Sequence, residues 1–163
     1  MCRISVNIFL FLHLQFLDSD VFITNPQCLK LLISKGHTVA APMMKSDGLY
    51  SNFWCGMTEE YYYLRTDDYK PILNRERIGC FHVPMVHSSV LVDLCKLSSN
   101  GLTFLSSKVP DYKGPHDDII TFALAANKSG MYEWHNVLTF MYDKLVKKGR
   151  RVQHLPNSCL LMS

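Results

Sequence analysis

Apolar positions run from Ile8 to Leu17 with only His13 and Gln15 interrupting them, and the run ends on Asp18-Ser19-Asp20. Its second half predicts a buried strand. A membrane span needs about 20 mainly apolar residues, so the stretch is too short and too interrupted to be one. Asn25-Pro26 then predicts a helix start, because Asn accepts a bond from a free backbone N–H and Pro suits the first turn. Cys28, Leu29, Leu31, Leu32 and Ile33 supply its apolar face and Gly36 its stop. The segment from Thr38 to Met43 reads as the next strand. Strand, helix, strand is the rhythm of a parallel sheet.

From Asp47 to Asn74 the pattern is irregular and aromatic, with Tyr50, Phe53, Trp54, Tyr61, Tyr62, Tyr63 and Tyr69, as in a long loop or hairpin region. These aromatics either bury area in a core or stack on sugar rings. Phe81 to Val86 predicts a strand, and Ser88 or Ser89 to about Lys96 a helix ended by Ser98-Ser99-Asn100-Gly101. Pro110 to Pro115 is rich in turn residues, and Asp117 to Ala126 predicts a helix opened by acidic residues. Trp134, Val137, Leu138, Met141 and Leu145 fall on one face of a last predicted helix that Gly149 would stop.

A chain of 163 residues fits one domain, and 48% hydrophobic with 19% charged residues describes a globular protein. The net charge of +3 is small. The basic residues are scattered except for Lys144, Lys147, Lys148, Arg150 and Arg151, which suit the last turns of a helix, so nucleic acid is not implied. Six cysteines, at positions 2, 28, 55, 80, 95 and 159, show no zinc-like spacing and leave both disulfides and buried thiols open. Asn127-Lys128-Ser129 is a glycosylation acceptor pattern that matters in a secretory protein. Arg3 followed by apolar residues also allows a signal peptide over the first 17 residues, although no small-x-small cleavage site follows.

The aspartates change the picture. In an extended segment, residues two apart project to one face, so Asp18 and Asp20 are a candidate pair for one hard cation at a strand end. Ligands of open α/β sheets collect outside the carboxyl ends of strands, where a cation bridges carboxylates and a diphosphate. The alternative is an ordinary turn, in which Asp and Ser are favoured.

Several strings then occur in order: Asn25-Pro26-Gln27, Val39-Ala40-Ala41-Pro42-Met43, the run from Tyr50 to Met57, Gly79-Cys80-Phe81, Val83-Pro84-Met85-Val86-His87-Ser88, and Asp117-Asp118-Ile119-Ile120. Together they resemble the collagen β(1-O)galactosyltransferases of glycosyltransferase family 25, from about Phe16 to Tyr132. The resemblance implies an α/β fold: a partial GT-A-like, Rossmann-type nucleotide-sugar transferase domain with a mainly parallel or mixed sheet. That domain would occupy residues 1–132, with its motifs in 16–132, followed by a divergent C-terminal helix and tail at 133–163. It further implies inverting transfer of galactose from UDP-galactose to hydroxylysine of collagen or procollagen in the endoplasmic reticulum lumen, with Mn2+ or Mg2+ as cofactor and no transmembrane span.

Carried over by position, Asp18 and Asp20 would bind the metal and the UDP diphosphate, and Asp117 or Asp118 would act as general base toward the acceptor hydroxyl. The competing reading of the second pair is a charged helix N-terminus. Asn52 and Trp54 are candidate sugar or acceptor contacts, and His87 a candidate metal or phosphate neighbour. Val21 stands where active relatives carry Asn, and Gly114 and His116 where they carry Trp and Phe. The segment ahead of the Asp-x-Asp, the family's text after Tyr132, its second domain and its retention tetrapeptide are not matched, so the chain reads as a fragment. The family also includes the cerebral endothelial cell adhesion molecule, regarded as inactive. The alternative is therefore a noncatalytic member or fragment acting as a secretory-pathway or cell-adhesion interaction module.

Overall fold

The computed structural model describes residues 12–45, 51–129 and 138–148, with Lys45 and 138–148 described by backbone alone. Tyr50, Cys2, Cys159, Gly149, Arg150, Arg151 and the signal-peptide reading of the first residues lie outside the described residues.

The apolar run becomes strand β1 (His13–Leu17), which turns at the aspartates into β2 (Val21–Ile23); the buried strand expected here is corrected to an edge strand with Leu14 and Leu17 exposed, because among the described residues only β7 pairs with it. Helix α1 (Cys28–Ser34) follows. Asn25 Oδ1 accepts from Gln27 N at 2.8 Å, and Gly36 closes the helix with φ +65° while its N–H donates to Ile33 O. The helix buries Cys28 and Leu32 against Val21, Ala40, Met44 and Leu91, while Ile33, expected on the same face, is exposed. Burying Leu32 alone stabilises the chain by about 2 kcal/mol. Strand β3 (Val39–Lys45) comes next, then β4 (Phe53–Trp54), α2 (Tyr69–Leu73), β5 (Cys80–His82), β6 (Met85–Val86), β7 (Ser89–Asp93), α3 (Asp118–Ser129) and β8 (Leu138–Lys148).

The main sheet has the order β1-β7-β3-β8-β2, with β5 also on β8, and β4 pairs separately with β6. It is mixed and predominantly antiparallel: among the described residues only β3 and β8 pair in parallel, while β1–β7, β3–β7, β2–β8 and β5–β8 are antiparallel. The mainly parallel sheet expected from the sequence is therefore corrected. β1 and β3 do run in the same direction on either side of α1, but β7 inserts between them in the opposite sense. A strand-helix-strand pattern cannot reveal that a later strand will occupy the gap.

Two predicted helices are strands. Ser89-Val90-Leu91-Val92-Asp93 forms β7, in which the first four residues are all buried, because this strand is covered on both faces. Val90 and Val92 join the cluster with Val39, Phe53 and Phe122, and Leu91 joins the α1 cluster. The stretch 138–148, expected as part of a C-terminal helix, is β8, held between β3 on one side and β2 and β5 on the other. Thr139, Phe140, Tyr142 and Val146 are strand-favouring residues that the helical count passed over. The predicted strand over 81–86 is split into β5 and β6 around Val83-Pro84.

Candidate active site

Asp18-Ser19-Asp20 forms a tight turn: Val21 N donates to Asp18 O at 3.1 Å. The extended arrangement expected of the pair is thus corrected to a turn immediately outside the carboxyl end of β1. Asp18 is exposed and Asp20 half-buried, and neither carboxylate is ion-paired among the described residues. Val21 is buried with Leu32 and Met44, so its side chain belongs to the core.

The turn is fastened to β7. Leu17 lies opposite Ser89, and Asp18 N donates to Ser88 O at 2.9 Å, one step past the ladder. Ser88 has φ +67°, and Ser89 N donates to His87 O at 2.8 Å, closing a γ-turn around a positive-φ centre that costs a non-glycine residue on the order of 1–3 kcal/mol. His87 Nδ1 and Ser88 Oγ are 2.8 Å apart. His87 is thus the residue before the serine whose carbonyl holds the backbone of the aspartate turn.

Asn52 is buried at 1% exposure with its side chain fully engaged. Its Nδ2 donates to Pro42 O at 3.0 Å and His87 O at 3.1 Å, and its Oδ1 accepts from Met44 N at 3.0 Å and Ser51 Oγ at 3.1 Å. A carboxamide offers two donors and two acceptor lone pairs, so all its capacity is used on the protein. This geometry makes Asn52 a bracket for His87 rather than a surface that touches a sugar. Ser51, which sequence reasoning passed over, places its hydroxyl 2.9 Å from Met44 O and 3.1 Å from Asn52 Oδ1, sharing its one proton between them, and completes the bracket.

Trp54 lies on β4 opposite Met85. Its ring packs edge-on to Tyr63 at 5.5 Å and joins Tyr61, Ile120, Ala123 and Met85. Phe53 and Tyr69 are core, at 1% and 2% exposure, whereas Tyr62 is 71% exposed. Burial pushes the Tyr69 hydroxyl pKa up.

Asp117 caps α3. Its Oδ1 accepts from Ile120 N at 3.0 Å, and its carbonyl accepts from Thr121 N and, at 2.6 Å, Thr121 Oγ1. Asp118, the first helical residue, is exposed. The structure thus joins Asp117 to Trp54 through Ile120. It joins α3 to β1 through Phe122, which stacks on Phe104 at 4.6 Å and meets Phe16, two residues before Asp18, edge-on at 6.1 Å. Gly114 lies against Tyr61 and Tyr112, where a Cβ would come within 2.5 Å and 2.7 Å of their rings. The backbone itself packs here, filling with tyrosines the place where larger residues are expected at 114. His116 Nδ1 is 3.2 Å from Ser106 Oγ. Asn127, the acceptor of the glycosylation pattern, lies near the end of α3 with Nδ2 donating to Pro84 O at 3.4 Å.

Among the described residues no group of three or more His, Cys, Asp or Glu is poised around one metal ion, and no helix is long and apolar enough to cross a membrane. Among the described residues, Cys28, Cys55, Cys80 and Cys95 form no disulfide.

An α/β chain with paired carboxylates at a strand end and a second acidic pair on a helix is matched over residues 9–153 by the glycosyltransferase family 25, N-terminal domain. The chain belongs to that family. It is 54% identical over 121 residues to a glycosyltransferase 25 family member of Anopheles gambiae, covering 73% of this chain and 20% of that protein. With procollagen galactosyltransferase 2 of Homo sapiens the identity is 50% over 119 residues, covering 73% and 19%. With procollagen galactosyltransferase 1-A of Xenopus laevis it is 51% over 117 residues, covering 72% and 19%. The chain spans about a fifth of the length of these relatives.

Proposed function

We propose that the chain is the acidic-site portion of a GT-A-like galactosyltransferase domain, which moves galactose from UDP-galactose to hydroxylysine of procollagen with inversion, in the secretory pathway at the endoplasmic reticulum. The observation that carries the reading is the Asp18–Asp20 turn at the carboxyl end of β1, beside His87 and Ser88, in a chain half identical to proteins named procollagen galactosyltransferase.

The donor set fits a hard divalent cation. Two carboxylates on one turn, neither ion-paired among the described residues, suit Mg2+ or Mn2+, which take one or two carboxylates and fill the remaining positions with phosphate oxygens and water. Asp18 and Asp20 would hold it, and when bound it would offset the negative charge gathering on the departing diphosphate.

The remaining steps belong to the chain. His87, fixed by the γ-turn and by Asn52, borders the diphosphate. Asp118 takes the proton from the hydroxylysine hydroxyl as the oxygen bonds to the anomeric carbon and UDP leaves from the opposite face, while Asp117 holds the helix that carries Asp118. Trp54, half-buried among Tyr61 and Tyr63, offers an aromatic face toward the sugar or acceptor.

Calorimetric titration of UDP with and without manganese is the test. Binding that requires manganese and vanishes in Asp18→Ala/Asp20→Ala is expected. Manganese-independent binding, or none by the folded wild-type chain, would overturn the donor-site reading and leave the interaction module as the account of the chain.

A further inference from the structure

We infer that Asn52 is a positioning residue: its buried carboxamide holds the His87–Ser88 turn, and through that turn the backbone of Asp18, in the geometry from which the aspartate pair meets its ligand. The ligand part rests on the proposed function, whereas the bonding path does not.

The path is short and continuous. Asn52 and His87 are doubly tied: His87 N donates to Asn52 O at 2.9 Å and Asn52 Nδ2 donates to His87 O at 3.1 Å. The same His87 carbonyl accepts from Ser89 N and closes the γ-turn, which forces Ser88 to φ +67°. Ser88 O then accepts from Asp18 N. A turn with a positive-φ serine at its centre persists only when its surroundings over-determine it, and the two bonds to Asn52 are part of what the surroundings supply.

The other half of the carboxamide anchors the bracket. Pro42 O and Met44 N belong to β3 where its register against β8 shifts, so Asn52 fixes the irregular end of β3 and the turn before β7 to one planar group. Side-chain chemistry explains the choice of residue. Asp lacks the two donors, Gln carries the amide one methylene too far, and Ser cannot span to both carbonyls. Removing the group takes away the carboxamide partner of Pro42 O and Met44 N and leaves the His87 carbonyl with its bond from Ser89 N.

The experiment compares the whole chain with Asn52→Ala, and with Leu32→Ala as a control that empties a buried position on the α1 side of the sheet. Amide hydrogen exchange is read at Asp18 and Ser89, and manganese affinity by the electron paramagnetic resonance of the free ion. Asn52→Ala is expected to speed exchange at both amides at least tenfold relative to amides inside α3, and to weaken manganese binding about tenfold. Leu32→Ala is expected to lower thermal stability while leaving the Asp18 amide, relative to α3, and the manganese affinity within twofold of wild type. Asn52→Ser, which keeps a small polar group, serves the same comparison if the alanine variant does not fold. Undiminished protection of Asp18 in the Asn52 variant, or equal loss in Leu32→Ala, would overturn the inference. If wild type binds no manganese, the metal reading fails by itself, and the exchange rates still decide whether Asn52 holds the turn.

Discussion

Asp117 and Asp118 are adjacent and both exposed, yet only Asp117 has its carboxylate on a backbone N–H of α3. Their substitutions should therefore separate. Asp117→Ala removes an N-cap and is expected to cost about 1 kcal/mol in urea unfolding, while Asp117→Asn, which still accepts the Ile120 N–H, should cost only a few tenths. Asp118→Asn should change stability by less than about 0.5 kcal/mol. It should nevertheless abolish galactose transfer to a hydroxylysine peptide if Asp118 is the base, and unchanged transfer would remove it from that role. A second residue-scale expectation concerns His37, whose pKa is lowered by burial first and then by the nearby charges of His82, Lys96 and Lys35. With the folded pKa below the unfolded value, the unfolded chain takes up the proton first as pH falls. Stability should then decline as pH drops below about 6.5 and level off once the folded-state pKa is passed. Urea midpoints at pH 7.5 and 5 would show a smaller difference in His37→Gln than in wild type.

At the scale of elements, what was legible in the sequence is what is governed locally. The end of α1 follows from Gly36, α3 follows from its acidic start, and the place of β1 follows from the run that ends at Asp18, because caps and turn residues act within a few positions; Asn25 marks a turn before α1, whose first helical residue is Cys28. β7 and β8 were misread because their character comes from neighbours distant in sequence: Ser89 to Val92 is buried at every position, as in a strand covered on both faces, and β8 is a strand because β3, β2 and β5 flank it. In the candidate site, the two aspartates and His87 stand out by residue type alone, whereas the bonding of Asn52 and Ser51 does not, since burial and bonding partners do not appear in a one-dimensional pattern. Gly114 makes the same point as a prediction. Its packing against Tyr61 and Tyr112 leaves no room for a methyl group, so Gly114→Ala should displace a ring and cost about 1–3 kcal/mol by urea unfolding. Replacing Tyr61 by Leu in that background should recover part of the loss, and additive losses would show that the clash lies elsewhere.

On the scale of the whole molecule, the consequential strand is β8, because it makes three of the five pairings of the main sheet among the described residues. It aligns with β3 from Val39 to Lys45, with β2 at Val21 to Ile23 and with β5 at Cys80 to His82. Without it, β3 would become an edge, and β2 and β5 would have no place in the sheet, leaving rows of unpaired N–H and C=O groups beside the buried residues of β3. A chain ended after Tyr132 is therefore expected to lose its cooperative thermal transition and to elute as aggregates on size exclusion, while the 163-residue chain melts cooperatively. The aspartate turn should suffer with it, since β7 is held between β1 and a β3 that has lost its other neighbour. A shortened chain that melts cooperatively as a monomer would show that β1, β7 and β3 with α1 and α3 suffice as a folding unit. In that case the Asp18 turn is supported from the β7 side alone.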